Sequence, residues 1–184
     1  MARDVSFVFD PFEIAGVDKD TIRPSERERV LSEVSDYVIN QVLIDTSKGI
    51  SAVYGDSWDP LSDDYKKFKK KEGKGSKANL EFCGDLLEAV KITTESDDTI
   101  KIYVSKSQSD KADGHNNHSG ESQLPLRRFI PGPDDSGWRD GINKKIKSIV
   151  NNAETVDTTD AQNLFETALN ELTKQGAKKT LKGE

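Results

Sequence analysis

Residues 24–49 read PSERERVLSEVSDYVINQVLIDTSKG, and within them Val30, Leu31, Val34, Tyr37, Val38 and Val42 recur at three- and four-residue spacing. That period lays one apolar stripe along a helix of about twenty residues, opened at Pro24 and ended near Gly49. Ile39 and Leu43 stand off this stripe and are four apart, which gives the helix a second apolar face for another segment or another subunit to cover. Further on the period changes to two. Thr99-Ile100-Lys101-Ile102-Tyr103-Val104 alternates, with Ile100, Ile102 and Val104 on one face and Asp97-Asp98 as an acceptable hairpin turn before it. Leu86-Leu87-Glu88-Ala89-Val90-Lys91-Ile92 reads as a short helix passing into the partner strand. A long helix beside an antiparallel pair predicts an α+β fold, in which a small antiparallel sheet packs against the helix at 25–48 and C-terminal helices.

Outward from this pair, Val5-Ser6-Phe7-Val8-Phe9 is a short apolar strip closed by Asp10-Pro11. Ser62 with Asp63-Asp64 predicts the cap of a short helix through Tyr65 and Phe68. Ile142, Ile146, Ile149 and Val150 mark another helix, and Ala161, Leu164, Phe165, Ala168, Leu169 and Leu172 mark a last one. Two stretches are predicted as flexible loops. Residues 66–78 hold seven Lys against Glu72, broken by Gly73 and Gly75, and residues 105–123 hold no aliphatic side chain larger than Ala112. With 184 residues the whole chain is expected to form a single domain.

Composition narrows the function. Equal hydrophobic and charged shares of 33% and a mean hydropathy of −0.71 imply a modest core and long wet loops. Net charge −6 argues against wholesale nucleic-acid coating while leaving room for local basic patches. Cys83 stands alone, which excludes an internal disulfide and fits a reducing compartment. No apolar run approaches the ~20 residues of a membrane span, and the first ten residues lack a signal-peptide core, so the product is expected to stay soluble where it is made.

Candidate chemistry is sparse. His115-Asn116-Asn117-His118 has the residue types of a metal pair or of a histidine-asparagine-histidine nuclease, but its imidazoles sit three residues apart without a third His or a Cys nearby. Gly73-Lys74-Gly75-Ser76-Lys77 has glycines two apart rather than the five of a phosphate-binding loop. Trp58 and Trp138, in turn-like surroundings, suit loop anchors, with core anchoring expected for Trp58. Asp63-Asp64 and Asp134-Asp135 sit at expected helix starts, where capping accounts for them. No cofactor is expected and the chain is expected not to be an enzyme.

Three segments, taken in order, carry a family resemblance. They are Trp58-Asp59-Pro60-Leu61-Ser62-Asp63-Asp64-Tyr65 with Lys69-Lys70-Lys71, then Leu80-Glu81-Phe82-Cys83-Gly84-Asp85-Leu86-Leu87-Glu88-Ala89-Val90, then His118-Ser119-Gly120 with Leu124-Pro125-Leu126-Arg127-Arg128-Phe129-Ile130-Pro131. This order resembles the virion-morphogenesis and tail-completion proteins of tailed bacteriophages, including the Mu-like neck proteins. The likeness covers residues 58–150, and the preceding long helix fits that family's N-terminal helix.

The resemblance implies a structural virion protein at the head-tail junction. It would be a neck, tail-completion or tail-terminator protein forming a homo-oligomeric ring, a hexamer or dodecamer, between the capsid portal and the tail. It implies as partners further copies of itself, connector or adaptor proteins, tail-tube or tail-terminator proteins, and passing genomic DNA contacted without sequence specificity, with no membrane. Candidate interface or channel residues are Lys66, Lys67, Lys69, Lys70, Lys71, Trp58, Arg127, Arg128 and Phe129. The rival readings are a small metal-dependent nuclease using His115, His118 and Asp113, and a DNA-binding accessory protein using the lysines of 66–78.

Overall fold

The computed structural model describes residues 4–80, 84–117, 125–132 and 134–155. Strand β1 (Ser6–Phe9) leads into a short helix α1 (Pro11–Ala15), which Asp10 caps by accepting from the amides of Phe12 and Glu13. The long helix α2 (Pro24–Lys48) follows, then α3 (Asp63–Lys71), α4 (Asp85–Glu88), β2 (Val90–Thr94), β3 (Ile100–Val104), α5 (Ser109–Asn116) and α6 (Asp140–Asn151). The expected α+β class is the observed one.

The sheet order is β1-β3-β2 with both pairings antiparallel, so the last strand in sequence is the central one. Ile102 stands opposite Phe7 on one side and Ile92 on the other, which puts apolar side chains of all three strands on one face. That face meets α2. Val30, Leu31, Val34, Val38 and Val42 are buried there with Ile100 and Ile102, as the three- and four-residue spacing requires. Of the second face, Leu43 packs against the rim of the core and Ile39 is half-buried, while Ile44 is 44% exposed.

Helix α6 packs against α1 and α2 through Ile142, Ile146, Ile149 and Val150. Just before it Trp138 sets its indole edge-on to Phe7 and Phe9 of β1, at 5.7 and 5.9 Å. Helix α2 stops at Gly49, where φ is +76° and a Cβ would lie 3.0 Å from the Ala78 carbonyl oxygen, so both backbone conformation and space select glycine. Trp58 is half-buried against the core, and its amide donates to the Gly49 carbonyl at 2.8 Å, holding the turn at 50–58 to the end of α2.

Three expectations need correction. The stretch 66–78 is helical as far as Lys71, because Ser62 caps α3, Asp63 and Asp64 occupy its first turn, and lysines occupy its last, all favourable to the helix dipole. The stretch 105–123 is not a loop over its first part: Lys106–Gln108 is a 3-10 turn and Ser109–Asn116 is helix α5, with 112–116 buried. Asp134-Asp135 do not start a helix, since α6 begins at Asp140. Residues 118–123 and the expected last helix at 161–172 lie outside the described residues. Among the described residues no helix is long and apolar enough to cross a membrane.

Candidate functional site

The lysine cluster divides on folding. Lys66 and Lys67 face Asp63 and Asp64 one helical turn earlier, at 3.7 and 3.8 Å, and Lys70 and Lys71 are exposed. Lys69 is turned inward and only 1% exposed. Its ammonium donates to the Lys77 carbonyl at 3.0 Å and to the Asn79 side-chain oxygen, so it ties the end of α3 to the chain that returns from it. An interface or channel role for Lys69 is therefore replaced by a structural one: a buried ammonium needs its acceptors, and here it has them. Lys69→Met is expected to lower stability by about 1–3 kcal/mol through the stranded acceptors. Lys70→Gln and Lys71→Gln should each stay within about 0.5 kcal/mol of the parent. Urea midpoints measure both, and equal midpoints for all three variants would refute the division.

The strip 125–131 also turns inward. Phe129 is fully buried in the core, so its expected interface role gives way to packing. Arg128 folds back onto Asp135. Its guanidinium donates to both carboxylate oxygens of Asp135 at 2.9 Å, and the Tyr54 hydroxyl donates to the same carboxylate at 2.7 Å. Burial opposes the charge on Asp135, but the Tyr54 hydroxyl, the Gly132 amide and Arg128 together hold its carboxyl below the usual carboxylate range. This is a structural knot, and it occupies the Arg128 charge.

Opposite the strip lies α5, whose sequence gave no sign of burial. Asn116 is 1% exposed and acts as a surrogate strand. Its side-chain oxygen accepts from the amides of Phe129 and Ile130 at 2.9 and 3.0 Å, and its amide nitrogen donates to the Ile130 carbonyl at 2.9 Å. The Arg127 amide donates to the His115 carbonyl at 2.8 Å, and Arg128 Nε to the Asn116 carbonyl at 2.9 Å. These bonds satisfy the side-chain amide of Asn116 and tie a polar helix to the strip. Asp113, also buried, accepts from the Asn117 side chain at 2.9 Å. His118, the second imidazole of the expected pair, lies outside the described residues, and no group of three metal-ligating side chains is found among those described.

Between α3, α5 and the strip opens a cleft of about 480 Å³. Pro60, Leu61, Ser62 and Tyr65 form one wall, Leu80 and Pro125 contribute apolar surface, and Lys111, His115 and Arg127 contribute nitrogen. Arg127 is 6% exposed, yet its side chain makes no hydrogen bond and no ion pair among the described residues, and its Nε is sealed. Burial lowers its pKa, and the fields of Tyr65 and Asp59 work against that lowering without either residue forming an ion pair with it. His115 is 7% exposed with Nδ1 sealed and unbonded. Burial first and the Arg127 charge second push its pKa down to about 4, so the ring is neutral at pH 7. The cleft thus sets a neutral imidazole beside a guanidinium, and the guanidinium can receive a ligand's negative charge.

Among the nine residues singled out by the resemblance, Trp58, Lys69, Arg128 and Phe129 serve the fold, Arg127 enters the cleft, and Lys66, Lys67, Lys70 and Lys71 stay on the surface helix. Lys111 joins the cleft unannounced by any local pattern, and His115, expected only as half of a metal or nuclease pair, joins it too. No family model, curated protein or solved structure matches this chain.

Proposed function

We propose that this chain is a structural protein of a tailed-bacteriophage particle, working at the head-tail junction as a ring-forming neck or tail-completion protein. The observation that carries the reading is convergence. The three segments behind the resemblance all contribute to one cleft: the first through Leu61 and Tyr65, the second through Leu80, the third through Pro125 and Arg127. Tyr65, Phe68 and Leu126 are 42, 48 and 45% exposed, apolar surface of the kind that subunit contacts cover.

Exposed lysines of α3 and the turn after it would face the DNA channel of such a ring, where charge without sequence readout is useful. With Lys69 withdrawn and Asp63, Asp64 and Glu72 counted, six surface lysines stand against three carboxylates over residues 63–78, a weaker excess than the lysine run alone suggests.

Native mass spectrometry of the purified chain, alone and with the neighbouring connector and tail proteins, tests the reading. A closed multiple of the subunit mass, or a stoichiometric complex with those proteins, is the expected result. A chain that stays monomeric in their presence, or that cleaves DNA with a divalent metal and loses this in His115→Ala, overturns it.

A further inference from the structure

Arg127 poses a problem of charge. A guanidinium carries five N–H donors, and withdrawing it from water without a partner costs several kcal/mol. Arg128, its neighbour in sequence, shows the usual solution in this fold, with both oxygens of Asp135 within 2.9 Å. Among the described residues Arg127 has no counterpart to Asp135; it lines an open cleft together with His115, whose Nδ1 is sealed and unbonded, and exposed Lys111. Proline and leucine side chains complete the lining. Its volume of about 480 Å³ lies in the range that encloses a small ligand or a few residues of peptide.

We infer that this cleft is a recognition site for a carboxylate on an apolar-flanked peptide segment of a neighbouring protein chain, with the Arg127 guanidinium as its principal partner and Lys111 as a second positive charge. Planar guanidinium and planar carboxylate match in geometry, and the pair is strongest where water is excluded. The neutral state of His115 fits a site with room for one negative charge, since a phosphate dianion calls for more positive charge than one guanidinium and one ammonium beside it supply. A duplex is equally unsuited, because its phosphates are met by cations spaced along a surface rather than by one guanidinium between apolar walls. The inference does not depend on the phage reading: it names the chemistry of the occupant and leaves open which protein presents it.

The test uses the full chain labelled with nitrogen-15, with the Arg127 side-chain and His115 ring signals followed during titration by acetyl-Leu-Glu-Leu-amide and by its Gln counterpart. The Glu peptide is expected to saturate both signals, with the Gln peptide weaker by about tenfold or more, corresponding to about 1.4 kcal/mol. Lys111→Gln should weaken the Glu peptide by about two- to fivefold, and Arg127→Met should abolish its binding. Should Arg127→Met fail to fold, the Glu-against-Gln comparison and the Lys111→Gln arm decide. Equal binding of the two peptides overturns the inference. So does tighter saturation of the same signals by inorganic phosphate or by a DNA duplex, or an Arg127 signal that already reports an ion pair in the free protein.

Discussion

Asn116→Ala is expected to lower the unfolding free energy by about 3–5 kcal/mol, a large part of the roughly 5–15 kcal/mol that holds a domain together. Truncation strands two buried amides, Phe129 N and Ile130 N, and the Ile130 carbonyl, and water cannot reach them without prising α5 from the strip. Each stranded group costs about 1–3 kcal/mol, and partial relaxation keeps the total below the sum. Asn117→Ala supplies the contrast. Its half-buried side chain donates to Asp113 at 2.9 Å, so its loss should cost about 1 kcal/mol or less. Urea unfolding at pH 7 measures both. A parent-like midpoint for Asn116→Ala would mean that α5 is held by something other than this clamp.

Acid should destabilise the protein through His115 before most carboxylates titrate. The folded-state pKa of about 4 lies below the ordinary imidazole value of about 6.5. Between those values the unfolded chain binds a proton that the folded chain refuses. Stability is therefore complete above about pH 6.5 and falls as the pH drops toward 4, by up to about 3 kcal/mol in all. The groups facing the ring explain the refusal: burial dominates, the Arg127 and Lys111 charges oppose a further cation, and the Pro125 carbonyl favours it. His115→Gln removes the titration. Urea midpoints at pH 7.0 and 4.5 for parent and variant measure the difference, and the variant should lose less stability on acidification. Equal losses would show that His115 is protonated in the folded state, and the cleft would then carry more positive charge than described.

These two residues also mark where legibility in the sequence ended. Asn116 and His115 sit in a stretch with no aliphatic residue larger than Ala112, and by composition it reads as a solvated loop. The groups that satisfy Asn116 come from 129–130, beyond the reach of any helical or strand period. Ser51 makes the same point over a longer span, donating to the Arg128 carbonyl 77 residues away at 2.7 Å.

What the amino-acid sequence determined alone were the elements whose signal is local. The apolar spacing of α2, its stop at Gly49, the alternation of β3 with its hairpin partner and the stripe of α6 all follow from which side chains must leave water, and a period of 3.6 or 2 makes that readable from neighbours. The tertiary structure decided the rest. It placed β3 at the centre of the sheet, turned one lysine of a uniform run into the interior, and gave two adjacent arginines opposite fates. Lys69 differs from Lys70, and Arg127 from Arg128, only in which acceptors the folded chain brings within reach. Polar burial is governed by partners distant in sequence, whereas apolar burial is governed by surface area that each residue carries with it.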